Sequence, residues 1–173
     1  DNTNYSRSWA ENFKDLNPYL ASQRTTNDPI HGTRDWTLFQ HFRFGRHQLE
    51  YRFPVADGTY RIELYFTEPW HGTGGSASTD CEGLRIFDVA VNDSVVLDDL
   101  DIWAESGHDG VCKKVVYTTV EGGMLKIHFP KVKAGQALIS GIAIASTDQE
   151  LKPTVFPASG WSWEKADKEV MEK

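Results

Sequence analysis

Leu49-Glu50-Tyr51-Arg52-Phe53-Pro54-Val55 and Tyr60-Arg61-Ile62-Glu63-Leu64-Tyr65-Phe66 are the two stretches on which the fold turns. Leu49, Tyr51, Phe53 and Val55 alternate with Glu50 and Arg52, and Tyr60, Ile62, Leu64 and Phe66 alternate with Arg61, Glu63 and Tyr65. Side chains change face at every residue of a strand, so this spacing makes one dry face and one wet one. A helix would need its apolar positions three and four apart. Asp57-Gly58 stands between the two runs as a tight-turn pair. The pattern predicts a β-hairpin.

Strand signals recur downstream. Arg85 to Val91 puts Phe87, Val89 and Val91 on a single face, and Asn92-Asp93-Ser94 turns it into Val95 to Leu97. Lys113 to Val120 is turned by Glu121-Gly122-Gly123 into Met124 to Phe129, and Leu138 to Ala145 is apolar on both faces. Short strands separated by glycine-rich turns predict an all-β antiparallel sandwich or jelly roll. A polar loop from Glu68 to Gly83 interrupts them, with four glycines and one tryptophan. Upstream, Ser8 and Glu11 fit a capping box ahead of a short helix that aligns Trp9, Phe13 and Leu16, and residues 17–36 read as loop. Beyond Ser146, Pro153 and Pro157 break the pattern, and Trp161 to Lys173 reads as a charged helix. The expected organisation is a lead-in with a short helix at 1–29, a β-sandwich at 30–148, and a linker with a helical tail at 149–173.

The chain has 173 residues, enough for one core without a metal or disulfide staple. A net charge of −7 argues against nucleic-acid partners and against an anionic membrane surface. No run approaches the ~20 apolar residues of a membrane span. Asp1 opens a charged, polar segment without a signal peptide's apolar stretch, so the expectation is a mature chain or an excised domain. Cys81 and Cys112 lack zinc-type spacing; each precedes a predicted strand, where a disulfide in an oxidising compartment and two free thiols are both open.

Catalytic constellations are missing. Asp98, Asp99 and Asp101 are too close in sequence for the two carboxylates a glycosidase holds across its cleft, and they read as solvated turn groups. Their oxygens would suit calcium, but no D-x-D-x-D-G loop supports that, so no metal or cofactor is expected. The histidines His31, His41, His47, His71, His108 and His128 show no H-x-x-x-H spacing, and Gly72-Thr73-Gly74-Gly75 lacks the Lys-Ser/Thr of a phosphate loop. The isolated domain is expected to be non-catalytic.

Tyr51-Arg52-Phe53-Pro54-Val55 and Gly58 through Trp70 resemble the hairpin of malectin-like domains. Arg85 through Asn92, then Val96 through Ile102, resemble their central signature, and Ile139-Ser140-Gly141-Ile142-Ala143-Ile144 resembles their closing strand. The resemblance runs in order from about residue 30 to 146. Glu68-Pro69-Trp70, Gly72-Thr73-Gly74-Gly75 and Asp101-Ile102-Trp103 are most similar to the modules grouped as carbohydrate-binding module family 57, appended to bacterial family 2 glycoside hydrolases. The resemblance implies a β-sandwich that binds oligo- or polysaccharide without cleaving it. It also implies a catalytic domain in the same parent chain and a periplasmic or extracellular, cell-surface location. The alternative is a structural accessory domain that packs on the parent enzyme and shapes its active-site entrance without binding sugar.

By the same resemblance, Trp70 and His71 align with the aromatic pair that holds sugar in malectin, and Phe44 with the aromatic before the Tyr-Arg-Phe strand. Malectin's aspartate falls in Lys131 to Gln136, which holds no acid here. The chemistry fits: a pyranose offers its C–H face to a flat ring, while forks, carboxylates and amides read its hydroxyls. Trp70 ends a strand beside a loop, where it serves as a sugar platform or merely closes the sandwich end. Trp36, Phe44 and Arg43 lie in a locally basic stretch with Arg34 and Arg46, suited to gripping a uronate or to pairing with neighbouring acids. Trp103 is placed to line the same end as Trp70 or to cap the sandwich. Glu68 is placed to bond sugar hydroxyls or to serve the backbone of the next loop.

Overall fold

The computed structural model describes residues 22–46, 49–72 and 80–148. The capping box at Ser8, the helix at Trp161–Lys173, His47, and the Thr73-Gly74-Gly75 part of the glycine-rich loop lie outside the described residues. Within them the chain forms β1 (Ser22–Thr25), α1 (Trp36–Gln40), β2 (His41–Gly45), β3 (Glu50–Pro54), β4 (Gly58–Phe66), β5 (Ile86–Val91) and β6 (Ser94–Leu100). After these come α2 (Ile102–Ser106), β7 (Cys112–Val120), β8 (Met124–His128), β9 (Val132–Ala134), β10 (Ala137–Ile139) and β11 (Gly141–Ser146).

The strands assemble into three sheets, ordered β3-β8-β5-β6 with β9 also on β5, β11-β4-β7, and β1-β2-β10. Every strand pairing is antiparallel. The core lies between the first two sheets. Phe66 of β4 meets Phe87 of β5 with ring centroids 6.1 Å apart, and Phe87 meets Phe129 edge-on at 5.7 Å. On β4, Tyr60, Ile62, Leu64 and Phe66 are buried while Arg61, Glu63 and Tyr65 stay partly exposed, as their alternation dictates. Each such side chain contributes about 1.5–3 kcal/mol by leaving water. The fold is an all-β antiparallel sandwich.

The strands at 50–54 and 58–66 form where the alternation predicts, but they do not pair with each other. Tyr51 of β3 faces Ile127 of β8, and Ile62 of β4 faces Val116 of β7. Residues 55–57 arch from one layer to the other, and residues 121–123 make a second arch beside it. Val55 N–H donates to the Gly123 carbonyl at 3.1 Å, and Gly123 N–H to Asp57 Oδ1 at 2.7 Å. Alternation says which face is dry. It is silent on whether two dry faces lie side by side or stack across a core. The Asn92-Asp93 turn does make a true hairpin, with Val91 opposite Ser94 and Asn92 at φ 52°.

Three further differences follow from the closure of the sandwich. Leu138 to Ala145 is two strands, β10 on β2 and β11 on β4, with Ser140 N–H donating to the Tyr65 carbonyl at 2.8 Å where the chain changes sheet. This change of sheet explains why the segment looked apolar on both faces. β1 lies in the stretch read as loop, because Ser-Gln-Arg-Thr is a polar edge strand without an apolar repeat. β6 runs through Asp98 and Asp99 to Leu100, so these are strand residues rather than turn residues.

The acidic cluster serves the backbone and nearby cations. Asp101 accepts from Ala104 N–H at 3.0 Å as the N-cap of α2 and from Gly83 N–H at 2.6 Å, and Asp99 pairs with Lys133. The Lys133 ammonium, before all else, holds the Asp99 carboxyl below its ordinary range. Cys81 and Cys112 are free, buried thiols, so no bridge joins them; burial pushes the Cys112 thiol up to about 11.

Candidate functional site

The small sheet β1-β2-β10 positions the site. Cross-strand partners share a face, so Arg24, Phe42, Phe44 and Leu138 point one way, while Gln23, Thr25, His41, Arg43 and Ile139 point the other. Each face lines a cleft. Phe42 and Phe44, 6.3 Å apart, form the aromatic part of a cleft of about 520 Å³, closed on the far side by Pro69, Trp70 and His71. Arg24, Thr26, Arg85 and Gln136 supply its polar lining. The Trp70 side chain is 65% exposed, a large solvent-facing indole at the cleft.

That indole stands on a rigid base. Glu68 is 0% exposed, and its Oε1 accepts from the N–H groups of Trp70 and His71, each at 3.0 Å. Arg85 grips the same carboxylate, with Nε donating to Oε2 and Nη2 to Oε1 at 3.2 Å, while Nη1 donates to the Gln136 carbonyl at 2.7 Å. Bidentate Arg–carboxylate geometry with every nitrogen used is what makes a buried pair tolerable. The network therefore joins the Trp70 turn to the β9–β10 segment across the cleft floor. Beneath the turn lies Trp103. A Cβ built on Gly72, which sits at φ 88°, would meet the Trp103 Nε1 at 2.7 Å, so only glycine fits there.

Of the residues singled out by sequence, Trp70, His71 and Phe44 come together in this cleft. Glu68 lies buried below them and takes the backbone role, out of reach of a ligand hydroxyl. Trp103 packs behind Gly72 rather than lining the cleft. Trp36, 44% exposed on α1, donates its Nε1–H to the Thr33 carbonyl at 3.1 Å and lines neither cleft. Arg43 lies on the other face of the sheet, in a cleft of about 680 Å³ with His41, Tyr51 and Phe53. Burial lowers the Arg43 guanidinium from its ordinary value and raises the Tyr51 hydroxyl, each partly opposed by the other. Arg46 is tied to the Gly135 carbonyl at 2.9 Å. Arg24, Phe42, Arg85 and Gln136 were missed. Arg24 lies upstream of the basic stretch, and Gln136 enters only because β10 pairs with β2. No carboxylate lines either cleft among the described residues, so neither holds the paired acids of glycoside hydrolysis.

The family model of the malectin domain matches residues 1–150. This chain belongs to the malectin-domain family. Malectin domains are generally non-catalytic, and the fold is a carbohydrate-binding one. Among solved structures, a Bacteroides uniformis β-glucuronidase is similar at a TM-score of 0.63 and 26% identity, covering 74% of this chain and 14% of that one. The plant receptor-like kinase FER is similar at 0.57 and 18% identity, covering 75% of this chain and 34% of that one. The ANX2 ectodomain from Arabidopsis thaliana gives 0.56 and 16%, with 76% and 41% covered. The two plant structures show the shared fold alone. A search of the curated proteins found no match. This malectin domain thus spans less than half of each of these longer chains. No helix among its described residues is long and apolar enough to cross a membrane.

Proposed function

We propose that this malectin domain binds oligo- or polysaccharide in the cleft between Phe44 and Trp70. The observation that carries the reading is an indole left 65% exposed while its own backbone is fastened by a buried Glu68–Arg85 pair. An exposed aromatic on a fixed base loses little entropy when a sugar ring stacks on it. Phe42 and Phe44 offer further apolar surface, and His71, Thr26 and the Gln136 amide offer polar groups for hydroxyls. Gln136 falls in the segment where malectin carries its aspartate, which replaces a charged acceptor with a neutral donor–acceptor. Arg24 adds a cation, which suits a uronate carboxylate better than a neutral sugar. Affinity in the micromolar to millimolar range is expected, about −8 to −4 kcal/mol. In this reading the sugar is held by side chains alone, with no metal or cofactor touching it.

The similarity to a segment making up 14% of a β-glucuronidase supports a place as an accessory module of a larger glycoside hydrolase, working in the periplasm or outside the cell. A purely structural accessory role is favoured by one feature. Val115 and Tyr117 stand exposed side by side on the outer face of β7, with Tyr117 63% exposed, a surface suited to packing on a neighbouring domain. Calorimetry on a panel of neutral and uronate-containing oligosaccharides separates the readings. The expected result is saturable heat with at least one glycan, stronger for uronates, and its loss in Trp70→Ala with the circular dichroism spectrum unchanged. Silence across the panel from folded protein leaves the structural role. Undiminished binding by Trp70→Ala removes this cleft as the site.

A further inference from the structure

Behind the Trp70 turn, three side chains from two distant stretches converge. Asp28, His108 and Asp109 each bring one donor atom to within 4.8 Å of the others. Asp109 is only 4% exposed, and its Oδ1 is buried without a hydrogen-bond partner. Its Oδ2 lies 3.0 Å from His108 Nε2, and the second ring nitrogen, Nδ1, is also buried and unpartnered. A buried polar atom left open costs stability, and native proteins keep such atoms chiefly where a ligand or water completes them.

The backbone holds this arrangement firmly. Asp109 sits at φ 52°, in the left-handed region, although it is not glycine. Its carbonyl accepts from His31 N–H at 2.8 Å, its N–H donates to the Glu68 carbonyl at 2.9 Å, and Val111 N–H donates to the His31 carbonyl at 3.1 Å. Residues 108–111 are thus clamped between the 31 and 68 segments, so the carboxylate cannot turn to solvent cheaply. Asp28 is exposed and anchored at one oxygen, with Thr26 Oγ1 donating to its Oδ2 at 2.9 Å.

We propose that Asp28, His108 and Asp109 bind one divalent transition-metal ion of the zinc type. Two carboxylates carry a charge that a divalent ion cancels, removing the penalty on the buried Asp109, and the imidazole adds a nitrogen donor. Zinc takes imidazole nitrogen and carboxylate oxygen together at about 2.0–2.2 Å, with water completing a four-coordinate shell. Calcium wants six to eight oxygens, which this cluster does not offer. Because the donors lie up to 4.8 Å apart, binding draws them inward, and exposed Asp28 is the group with freedom to move. The Thr26 hydroxyl then acts as an outer partner that orients Asp28. Thr26 also lines the Trp70 cleft, so the ion would fix one rim of that cleft by tying residues 26–28 to the turn at 108–109.

The test uses the full chain, stripped with a chelator, titrated with ZnCl₂ and in parallel with CaCl₂, and read by calorimetry and thermal melting. Zinc should bind at one equivalent and raise the melting temperature, while calcium should do neither. Asp28→Asn, at an exposed position that leaves the fold intact, should lose the zinc response, as should His108→Gln and Asp109→Asn. A Cys81→Ser, Cys112→Ser variant should keep it. The proposal falls if the wild-type chain shows no one-equivalent zinc binding, if Asp28→Asn and His108→Gln respond like wild type, or if calcium stabilises as strongly as zinc.

Discussion

The turns at Glu68–His71 and His108–Asp109 lie side by side, joined by a parallel bridge between Glu68 and His108, yet they treat buried charge in opposite ways. At the first turn both carboxylate oxygens of Glu68 are used, by two backbone N–H groups and by Arg85. At the second, one Asp109 oxygen is left open. A satisfied buried charge fixes geometry for something else, here the indole of Trp70. An unsatisfied one is destabilising in the free protein and becomes useful only when a ligand completes it.

The largest effect should come from breaking the satisfied pair. Glu68→Gln leaves the Arg85 guanidinium buried without its counter-charge, and removing one partner of such a pair costs about 3–5 kcal/mol. Chemical denaturation should show a loss of this size, with sugar binding weakened as the Trp70 turn loosens. A loss below about 1 kcal/mol would mean that the pair is not structural.

A carboxylate network on the outer face of β4 gives a smaller effect that appears only in acid. Glu63 on β4 accepts from Lys113 at 2.8 Å, from the Tyr65 hydroxyl and from Arg61. Lys113 first, then Tyr65, lowers its carboxyl from 4.5 to about 2. A folded-state pKa below the unfolded one means stability that is present above about pH 4.5 and lost as pH falls toward 2. Denaturation midpoints of the wild type should therefore fall through that window more steeply than those of Glu63→Gln. Parallel curves would remove the network as a contributor.

The smallest effect sharpens the contrast. In metal-free buffer at neutral pH, Asp109→Asn removes a buried charge whose carboxyl is raised chiefly by desolvation. Its melting temperature should match or exceed that of the wild type, the reverse of Glu68→Gln. A loss as large as that of Glu68→Gln would show that Asp109 stabilises the free fold and needs no ligand.

The same contrast between local and distant interactions explains what was readable. Tyr60, Ile62, Leu64 and Phe66 declare a dry face through their spacing, because alternation is a property of neighbouring residues along one chain. The turn at Asn92-Asp93-Ser94 was legible for the same local reason. The Asp57-Gly58 turn was legible as a turn but not as an arch, since stacking across a core or pairing at an edge is decided by strands β7 and β8, which lie far along the chain from it. β1 carried no signal because an edge strand of Ser, Gln, Arg and Thr buries no apolar stripe. At the site, Trp70, His71 and Phe44 were legible through their resemblance to the malectin pattern. Arg24, Gln136 and Asp28 were not, because each is brought in from a distant stretch.

The amino-acid sequence alone determined a sandwich of antiparallel strands, the identity of the dry faces, membership of the malectin family and the aromatic pair beside the long loop. Only the tertiary structure decided which strands pair, that Glu68 supports the Trp70 turn instead of meeting a ligand, and that His108 and Asp109 converge with Asp28. Face and turn are set by contacts a few residues apart. Pairing and burial depend on which of several dry faces close over one another, a choice made by the whole chain at once.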